Sequence, residues 1–441
     1  MEETSTRNLK FGAGYFKLFG ASVISNLGDG IGAVAYPWLA SAITREPLLI
    51  SLVAVVQRLP WLIFSLPAGV ITDRYDRRLL MVGANILRTI MTIGVALAVL
   101  AKQGVLPGPN QVGDPTITIT TDLTLYAVVL LAAFLLGMAE VIHDNSAQTF
   151  MPAVVHKELL EKANGRLWSV EQVANNFIGP PLGALLLVAA FSVPFFVDAA
   201  TFAVAAALVA LIRPLSTPEP RVVGERTSWV TELKEGFGWL WKHDLLRPMA
   251  IILGLLNMAG MISFAVFVLF AQEVLKVSPT VFAILGTGAA VGGIVGGWAA
   301  PYVSKRIGSG ASLGLALMGG AVTSAVIGVT SWWPITWLMF AIFSGLAVLW
   351  NVITVSLRQT IIPDRLLGRV NSVYRFFAWG MMPIGAVAGG LIVAITETVA
   401  SRDLALRTPW LVAAGLQVVL FAFARPRLTT EKIETARTEV G

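Results

Sequence analysis

Apolar residues dominate twelve stretches of the chain, near 16–40, 49–71, 79–101, 123–146, 167–189, 194–212, 249–272, 280–302, 310–329, 334–355, 373–396 and 409–424, each bounded by charge or by Gly/Pro clusters. A bilayer crossing takes about 20 mostly apolar residues, so each stretch is predicted to be one membrane span. Hydrocarbon offers the backbone no hydrogen-bond partner, and the runs are too long and too evenly apolar for barrel strands, which leaves helices. The predicted fold class is an all-α membrane protein, with twelve transmembrane helices in two pseudo-symmetric six-helix bundles. The run that begins after Tyr15 is too long for a signal-peptide core and is expected to be a retained first span.

Composition agrees with the pattern. Of 441 residues, 56% are hydrophobic and 13% charged, against about 25% charged in a soluble domain. A soluble fold is excluded, and these residues leave no space for a separate catalytic domain. The net charge of +6 would suggest nucleic-acid binding in a soluble protein; in a membrane protein it reflects basic residues retained on cytoplasmic loops. With the N-terminus inside, Arg45, Lys102, Lys276, Arg402 and Arg407 fall on outer loops, Arg58 and Arg88 within spans, and the other 25 of the 32 Lys and Arg on the cytoplasmic side. Both termini are therefore expected to be cytoplasmic, in a bacterial inner membrane. Trp38, Trp332, Trp333 and Trp410 fall at outer span ends, where an amphipathic ring suits the headgroup region.

The longest polar stretch lies between spans six and seven. It closes on Trp229, Leu233, Phe237, Leu240 and Trp241 at helical spacing, the pattern of a helix on the inner membrane face. The chain is thus expected to divide into an N-terminal bundle (1–212), a cytoplasmic linker with an amphipathic helix (213–247), and a C-terminal bundle with its tail (248–441). Polar loops repeat across the halves: Gly69 matches Gly297, Arg77 and Arg78 match Lys305 and Arg306, and "QTFMP" with "LLEKAN" matches "QTIIP" with "LLGRVN". Parallel six-span repeats imply a pseudo-two-fold axis along the membrane normal and a central pathway.

Ionisable residues inside spans are costly, and those retained line aqueous cavities or pair with one another. The candidates are Asp29, Arg58, Arg88, Glu140, Asp144, Glu171 and Asp198, all in the first half. Helical rise places Asp29 and Arg58 at similar depth on consecutive helices, where they could pair. The repeat aligns Asp29 with Asn257 and Glu140 with Asn351. An amide cannot exchange a proton, so Asp29 or Glu140 is the candidate for proton coupling; the alternative is a static pair, Asp29 with Arg58 or Glu140 with Arg88. Asp144 and Asp198 are expected in solvated positions. In span five, Glu171, Gln172, Asn175 and Asn176 recur at three- and four-residue steps, forming a polar stripe expected to face the central cavity, with amide contacts between helices as the alternative. Gly179, Pro180, Pro181 and Gly183 then permit close approach and a bend. Phe264, Phe267, Trp350, Phe376 and Trp379 are candidate walls for an apolar substrate or, equally, packing residues. No cysteine is present and the three histidines, His143, His156 and His243, lack ligand spacing, so no metal or cofactor site is expected.

The segment "GVITDRYDRRLLM" resembles the loop signature of the major facilitator superfamily. Gly69, Asp73, Arg74, Arg77 and Arg78 fit, and Asp76 stands where glycine is usual. The resemblance implies that the acidic and basic residues of this loop make charge contacts and cap helix ends, stabilising the outward-open state, and that these five form a gating loop. "NNFIGPPLG" is similar to the family's antiporter motif through Gly179, Pro180 and Gly183, with Asn175 and Ala184 replacing glycines; this favours export. "SNLGDGIGAVAYPWL", "LLRPMA" and "ANGRLWSVEQ" are similar to the branch of enterobactin, macrolide and multidrug exporters. The expected function is a proton-coupled secondary exporter of amphipathic small molecules, with membrane lipids as its surroundings and no nucleic-acid partner, acting as a monomer since nothing in the sequence demands an oligomer. A nutrient importer is the alternative within the class. A lipid-modifying enzyme would need a convergent nucleophile, base or metal cluster, and no Walker-type run is present for ATP.

Overall fold

The computed structural model describes residues 10–213 and 229–438, and among them helices form all the regular structure. In chain order they are α1 (Ala13–Ile43), α2 (Pro47–Arg74), α3 (Arg77–Ala101), α4 (Leu123–Val154), α5 (Leu160–Val173), a wide π turn (Ala174–Ile178), α6 (Gly179–Ala189), α7 (Val193–Ala210), α8 (Trp229–Lys242), α9 (Leu246–Phe264), α10 (Phe267–Glu273), α11 (Pro279–Ile307), α12 (Ser309–Val329), α13 (Trp333–Ile361), α14 (Asp364–Glu397), α15 (Arg402–Ala424) and α16 (Thr430–Thr438). Among the described residues twelve helical segments are long and apolar enough to cross a membrane, with α5 to α6 and α9 to α10 each forming one span. Each predicted span coincides with one of them, and the structure extends several beyond the apolar run because a helix continues through its polar ends until a cap or a turn stops it.

Two compact units contain the chain. One comprises Met1–Ala35, Ile63–Gly104 and Leu131–Val222; the other comprises Tyr36–Leu62, Val105–Leu130 and Val223–Gly441. The ends of α1, α2 and α4 nearest the α1–α2 turn therefore belong to the compact unit that holds α8 to α16. In that second unit Val55 packs with Met261, Ala265 and Ala386.

A charge cluster ties the α1–α2 turn to α10, α14 and α15 within the same unit. Arg45 pairs with Glu273, and Arg402 reaches Glu273 through Nε at 2.9 Å and also pairs with Glu397. Arg402 Nη2 donates to the Arg45 carbonyl at 2.9 Å, and Gln272 Nε2 donates to Ser41 Oγ at 2.8 Å. Glu273 and Arg45 are each 22% exposed. The environment lies between that of a surface pair, worth about 0–1 kcal/mol, and a buried one, whose breakage costs about 3–5 kcal/mol. Glu273→Gln would leave two guanidinium groups without their shared carboxylate, and is expected to lower stability by about 1–3 kcal/mol. Thermal unfolding of purified protein would check this. The gap to wild type should narrow in 1 M salt, and a salt-independent gap would mean that the cluster is not electrostatic.

Two expectations for tryptophan need correction. Trp38 and Trp410 are buried instead of lying among headgroups. The Trp38 indole N–H donates to the Pro109 carbonyl at 2.8 Å, and Trp410 packs beside Phe267, Phe270 and Phe340. A loop covers the first and an aromatic cluster the second, neither of which is encoded in position along a span.

Residues 214–228 of the connector lie outside the described residues, as do the side chains of Trp229 and Leu233. The rest of α8 packs on α14. Gly236 sits against the Arg369 backbone, Glu235 pairs with Arg369, and Phe237 and Trp241 stack on each other and near Phe377. His243 Nδ1 then accepts the backbone N–H groups of Leu245 at 3.2 Å and Leu246 at 3.3 Å, so it caps the start of α9 as a neutral imidazole. Burial holds its pKa below the ordinary histidine range, opposed by nearby Asp244.

Candidate functional site: a buried charge cluster in the first unit

The site begins with three small steps in α1. Gly28 gives room to α7, because a Cβ there would collide with Asp198 Oδ1 and Thr201 Oγ1. Gly30 touches the start of α6: a Cβ on Gly179 would lie 2.6 Å from the Gly30 Cα. One residue on, a Cβ on Gly183 would lie 2.7 Å from the Ile31 carbonyl oxygen. Close helix approach of this kind requires hydrogen in place of a side chain. The residue between the two α1 glycines is Asp29.

Asp29 Oδ1 accepts from Arg88 Nη2 of α3 at 2.7 Å. The arginine side chain is 5% exposed and the aspartate 33%, so the carboxylate retains an edge open to solvent. Phe202 of α7 lies under the guanidinium, 4.2 Å from Cζ to the ring centroid. Arg88 is within electrostatic reach of Glu140, Asp144 and Asp198 as well. Arg88 thus holds Asp29 directly and stands in the field of three further carboxylates.

This arrangement differs from the sequence expectation at two points. Asp29 pairs with Arg88 and not with Arg58, which is an exposed residue of α2. Similar depth does not supply the rotation about the helix axis that a contact needs. Asp198 is 3% exposed, not solvated, and its Oδ1 has no protein partner. Although only five residues from the start of α7, it faces the groove left by Gly28. Asp144 keeps 44% of its side-chain surface, as expected, with His143 Nδ1 3.3 Å away.

Sequence reasoning passed over the polar neighbours of this cluster. Asn85 and Thr92 on α3 are fully buried, and Asn85 Nδ2 and Oδ1 and Thr92 Oγ1 have no protein partner. With Arg88 they stand at three- and four-residue steps, a spacing that could have revealed a polar face on α3.

The polar stripe of span five divides. Glu171 accepts from Ser22 Oγ at 3.0 Å and Asn175 donates to Asn26 Oδ1 at 2.7 Å, so these two meet α1. Gln172 is exposed and bonds Asn176 at 3.0 Å. The π turn that follows has a local cause: Pro180 and Pro181 supply no N–H, and the backbone adopts a wider turn in which Gly179 N–H reaches the Ala174 carbonyl.

At the loop between α2 and α3, the surroundings of Gly69 and the side chain of Asp73 lie outside the described residues, and Arg74 is exposed. Asp76 has φ −60° and so is not left-handed. Its Oδ1 accepts from Arg78 N at 2.8 Å and Leu79 N at 3.1 Å, making it the N-cap of α3. Arg77 donates to the Thr149 carbonyl in the last part of α4 at 3.1 Å, and Arg78 donates to the Ile212 carbonyl just past α7 at 3.0 Å, so Arg78 satisfies a helix-end carbonyl.

In the second unit, Asn257 donates to the Ala378 carbonyl at 2.8 Å, while Asn351 is exposed on α13. Of the candidate aromatic walls, Phe267 and Trp350 are buried in packing, Phe264 and Phe376 are exposed, and Trp379 stacks on Trp61 with centroids 5.5 Å apart. Among the described residues no group of three or more His, Cys, Asp or Glu could hold a metal ion.

The description of the Major Facilitator Superfamily fits residues 18–386. The chain belongs to that superfamily. It is a membrane transporter and not an enzyme. Among its relatives, the enterobactin exporter EntS of Shigella boydii is 24% identical over 431 residues, 96% of each chain. The multidrug efflux pump Tap of Mycobacterium tuberculosis is 22% identical over 435 residues, 96% of this chain and 93% of that one. The crystal structure of a bacterial homologue of the iron transporter ferroportin, inward-facing, superposes with a TM-score of 0.71 at 16% identity, covering 94% of this chain and 99% of the other. The nucleoside transporter NupG superposes with a TM-score of 0.67 at 12% identity, over 93% and 98%. At these identities the superpositions establish the superfamily fold.

Proposed function

We propose that this superfamily transporter is a secondary active exporter of amphipathic small molecules, drugs or a siderophore, that exchanges substrate for protons. Its setting is a bacterial inner membrane, with both termini cytoplasmic. It works as a monomer by alternating access, with residues 1–212 and 248–441 as its two bundles and 213–247 as their link. The exporters among its relatives support the direction of transport. The observation that carries the coupling is the cluster around Arg88: Asp29 holds the guanidinium, keeps an open edge, and sits between two glycines that fix α1 against α6 and α7. A carboxylate so placed can gain or lose a proton only by changing its hold on Arg88, which links protonation to helix position. Glu140 is the second candidate, within reach of the same arginine. Gly69, Asp73, Arg74, Arg77 and Arg78 serve as the gating loop.

The test is ethidium accumulation in cells with and without the protein, repeated with a protonophore and at several external pH values. Wild type is expected to lower internal ethidium, and the protonophore to abolish the effect. Asp29→Asn or Glu140→Gln is expected to remove the pH dependence. If both variants keep wild-type pH-dependent efflux, neither acid carries the proton.

A further inference from the structure

The C-terminal segment forms a clamp on α12. Beyond Ala424 the chain turns through 425–429 into α16, whose Ile433 is fully buried in the cluster that contains Leu313, Leu317 and Leu428. Gly310 N–H donates to Thr430 Oγ1 at 3.1 Å, and Ser309 Oγ donates to Glu434 at 2.8 Å. Between the clamp and the adjoining ends of α12 and α15 remains a cavity of about 480 Å³, within the range of about 300–1,000 Å³ typical of small-ligand pockets.

The cavity is amphipathic. Leu313, Leu315, Met318 and Phe421 line one part, at the depth of the apolar spans. Gly314 lies beside Phe421, where its missing side chain widens the space. At the other end stand Arg425, Thr429 and Thr430, and no carboxylate lines the cavity. Arg425 is the first residue past the apolar span, which places it at the level of the headgroups.

The basic residues of this segment are not equivalent. Arg427 lies over Phe423, 4.0 Å from Cζ to the centroid, and donates to the Phe423 carbonyl; Lys432 donates to the Pro426 carbonyl at 2.9 Å. Arg437 pairs with Glu434 at 3.1 Å. Arg425 is exposed and, among the described residues, has no side-chain hydrogen bond or ion pair. Its charge is therefore free for an external anion, with two threonine hydroxyls beside it and an apolar cleft adjoining.

We propose that this cavity is a binding site for an anionic phospholipid, whose acyl chain lies along Leu315, Met318 and Phe421 and whose phosphate is held by Arg425 with Thr429 and Thr430. The site goes beyond the transport reading, since its ligand comes from the membrane and is not cargo. An amphipathic cation meets the wrong charge at the rim, and a soluble phosphate leaves the apolar part unfilled.

Native mass spectrometry of the purified full chain, titrated with phosphatidylglycerol or with phosphatidylcholine of the same acyl chains, tests the proposal. Wild type is expected to retain phosphatidylglycerol roughly tenfold better, the scale of one charge-assisted contact. Arg425→Gln should bring it to the phosphatidylcholine level, while Arg425→Lys keeps part of the preference and Arg427→Gln all of it. Gly314→Leu, which fills the cleft, should reduce retention of both lipids. Equal retention of the two lipids by wild type, undiminished preference in Arg425→Gln, or full competition by glycerol 1-phosphate would each overturn the assignment.

Discussion

Gly292→Leu is expected to destabilise the protein by about 3 kcal/mol or more, at the upper end of overpacking effects. Gly288, Gly292 and Gly296 repeat every four residues along α11 and face Trp337, Ala341 and Gly345, which repeat at the same step along α13. A Cβ on Gly288 would lie 2.5 Å from the Trp337 carbonyl oxygen, one on Gly296 would lie 2.6 Å from the Gly345 Cα, and one on Gly292 would collide with the Ala341 carbonyl. The obstructing atoms are backbone, so no rotamer change relieves them and the helices must separate. Separation would forfeit dispersion contacts along the whole seam, and in hydrocarbon these contacts are a principal force between helices. Gly297, the next residue, has nothing within 4 Å of a built Cβ, so Gly297→Leu should be nearly silent. Size-exclusion profiles after graded heating would compare the two; equal losses would refute the seam.

Arg88→Leu is expected to cost about 3–5 kcal/mol, the usual loss when one member of a buried pair is removed. The substitution keeps much of the apolar contact with Phe202 but leaves Asp29 without its guanidinium and Asp198 without a nearby positive charge. Combining it with Asp29→Asn removes one uncompensated charge, so the double variant should recover part of the loss. The size of that recovery measures the coupling. Thermal unfolding in detergent and in nanodiscs would supply the four values. A single-variant loss below about 1 kcal/mol would place the cluster in the range of solvated pairs.

Much of this architecture is legible in the sequence because span length and polarity are one-dimensional properties. All twelve spans could be placed, as could the antiporter-like glycines, whose close approach to α1 follows from having no side chain. What could not be read is rotation about each helix axis. A span that is apolar nearly all round carries no moment to say which face meets which neighbour. Depth alone matches Asp29 to Arg58 although its partner is Arg88, and nearness to a helix end suggests solvent for Asp198 although Gly28 gives it a buried groove. Asp76 stands where the loop signature has glycine, and Asp just before a helical run is also the ordinary mark of an N-cap.

The wide turn at Ala174–Ile178 has a consequence for winding. In a regular helix each residue advances about 100°, so Glu171 and Gly183, twelve apart, would point about 120° from each other. One extra residue absorbed in the turn takes back about 100° of that drift. Glu171, Asn175, Gly179 and Gly183 can then all address a single neighbouring rod, through Ser22, Asn26, Gly30 and Ile31. Deleting one residue of the turn would therefore restore regular winding with Gly183 still on Ile31, since eleven residues end only about 20° past whole turns; regular winding with every residue retained would instead swing Gly183 off Ile31 and unzip the seam beyond the turn while leaving Glu171 and Asn175 in phase.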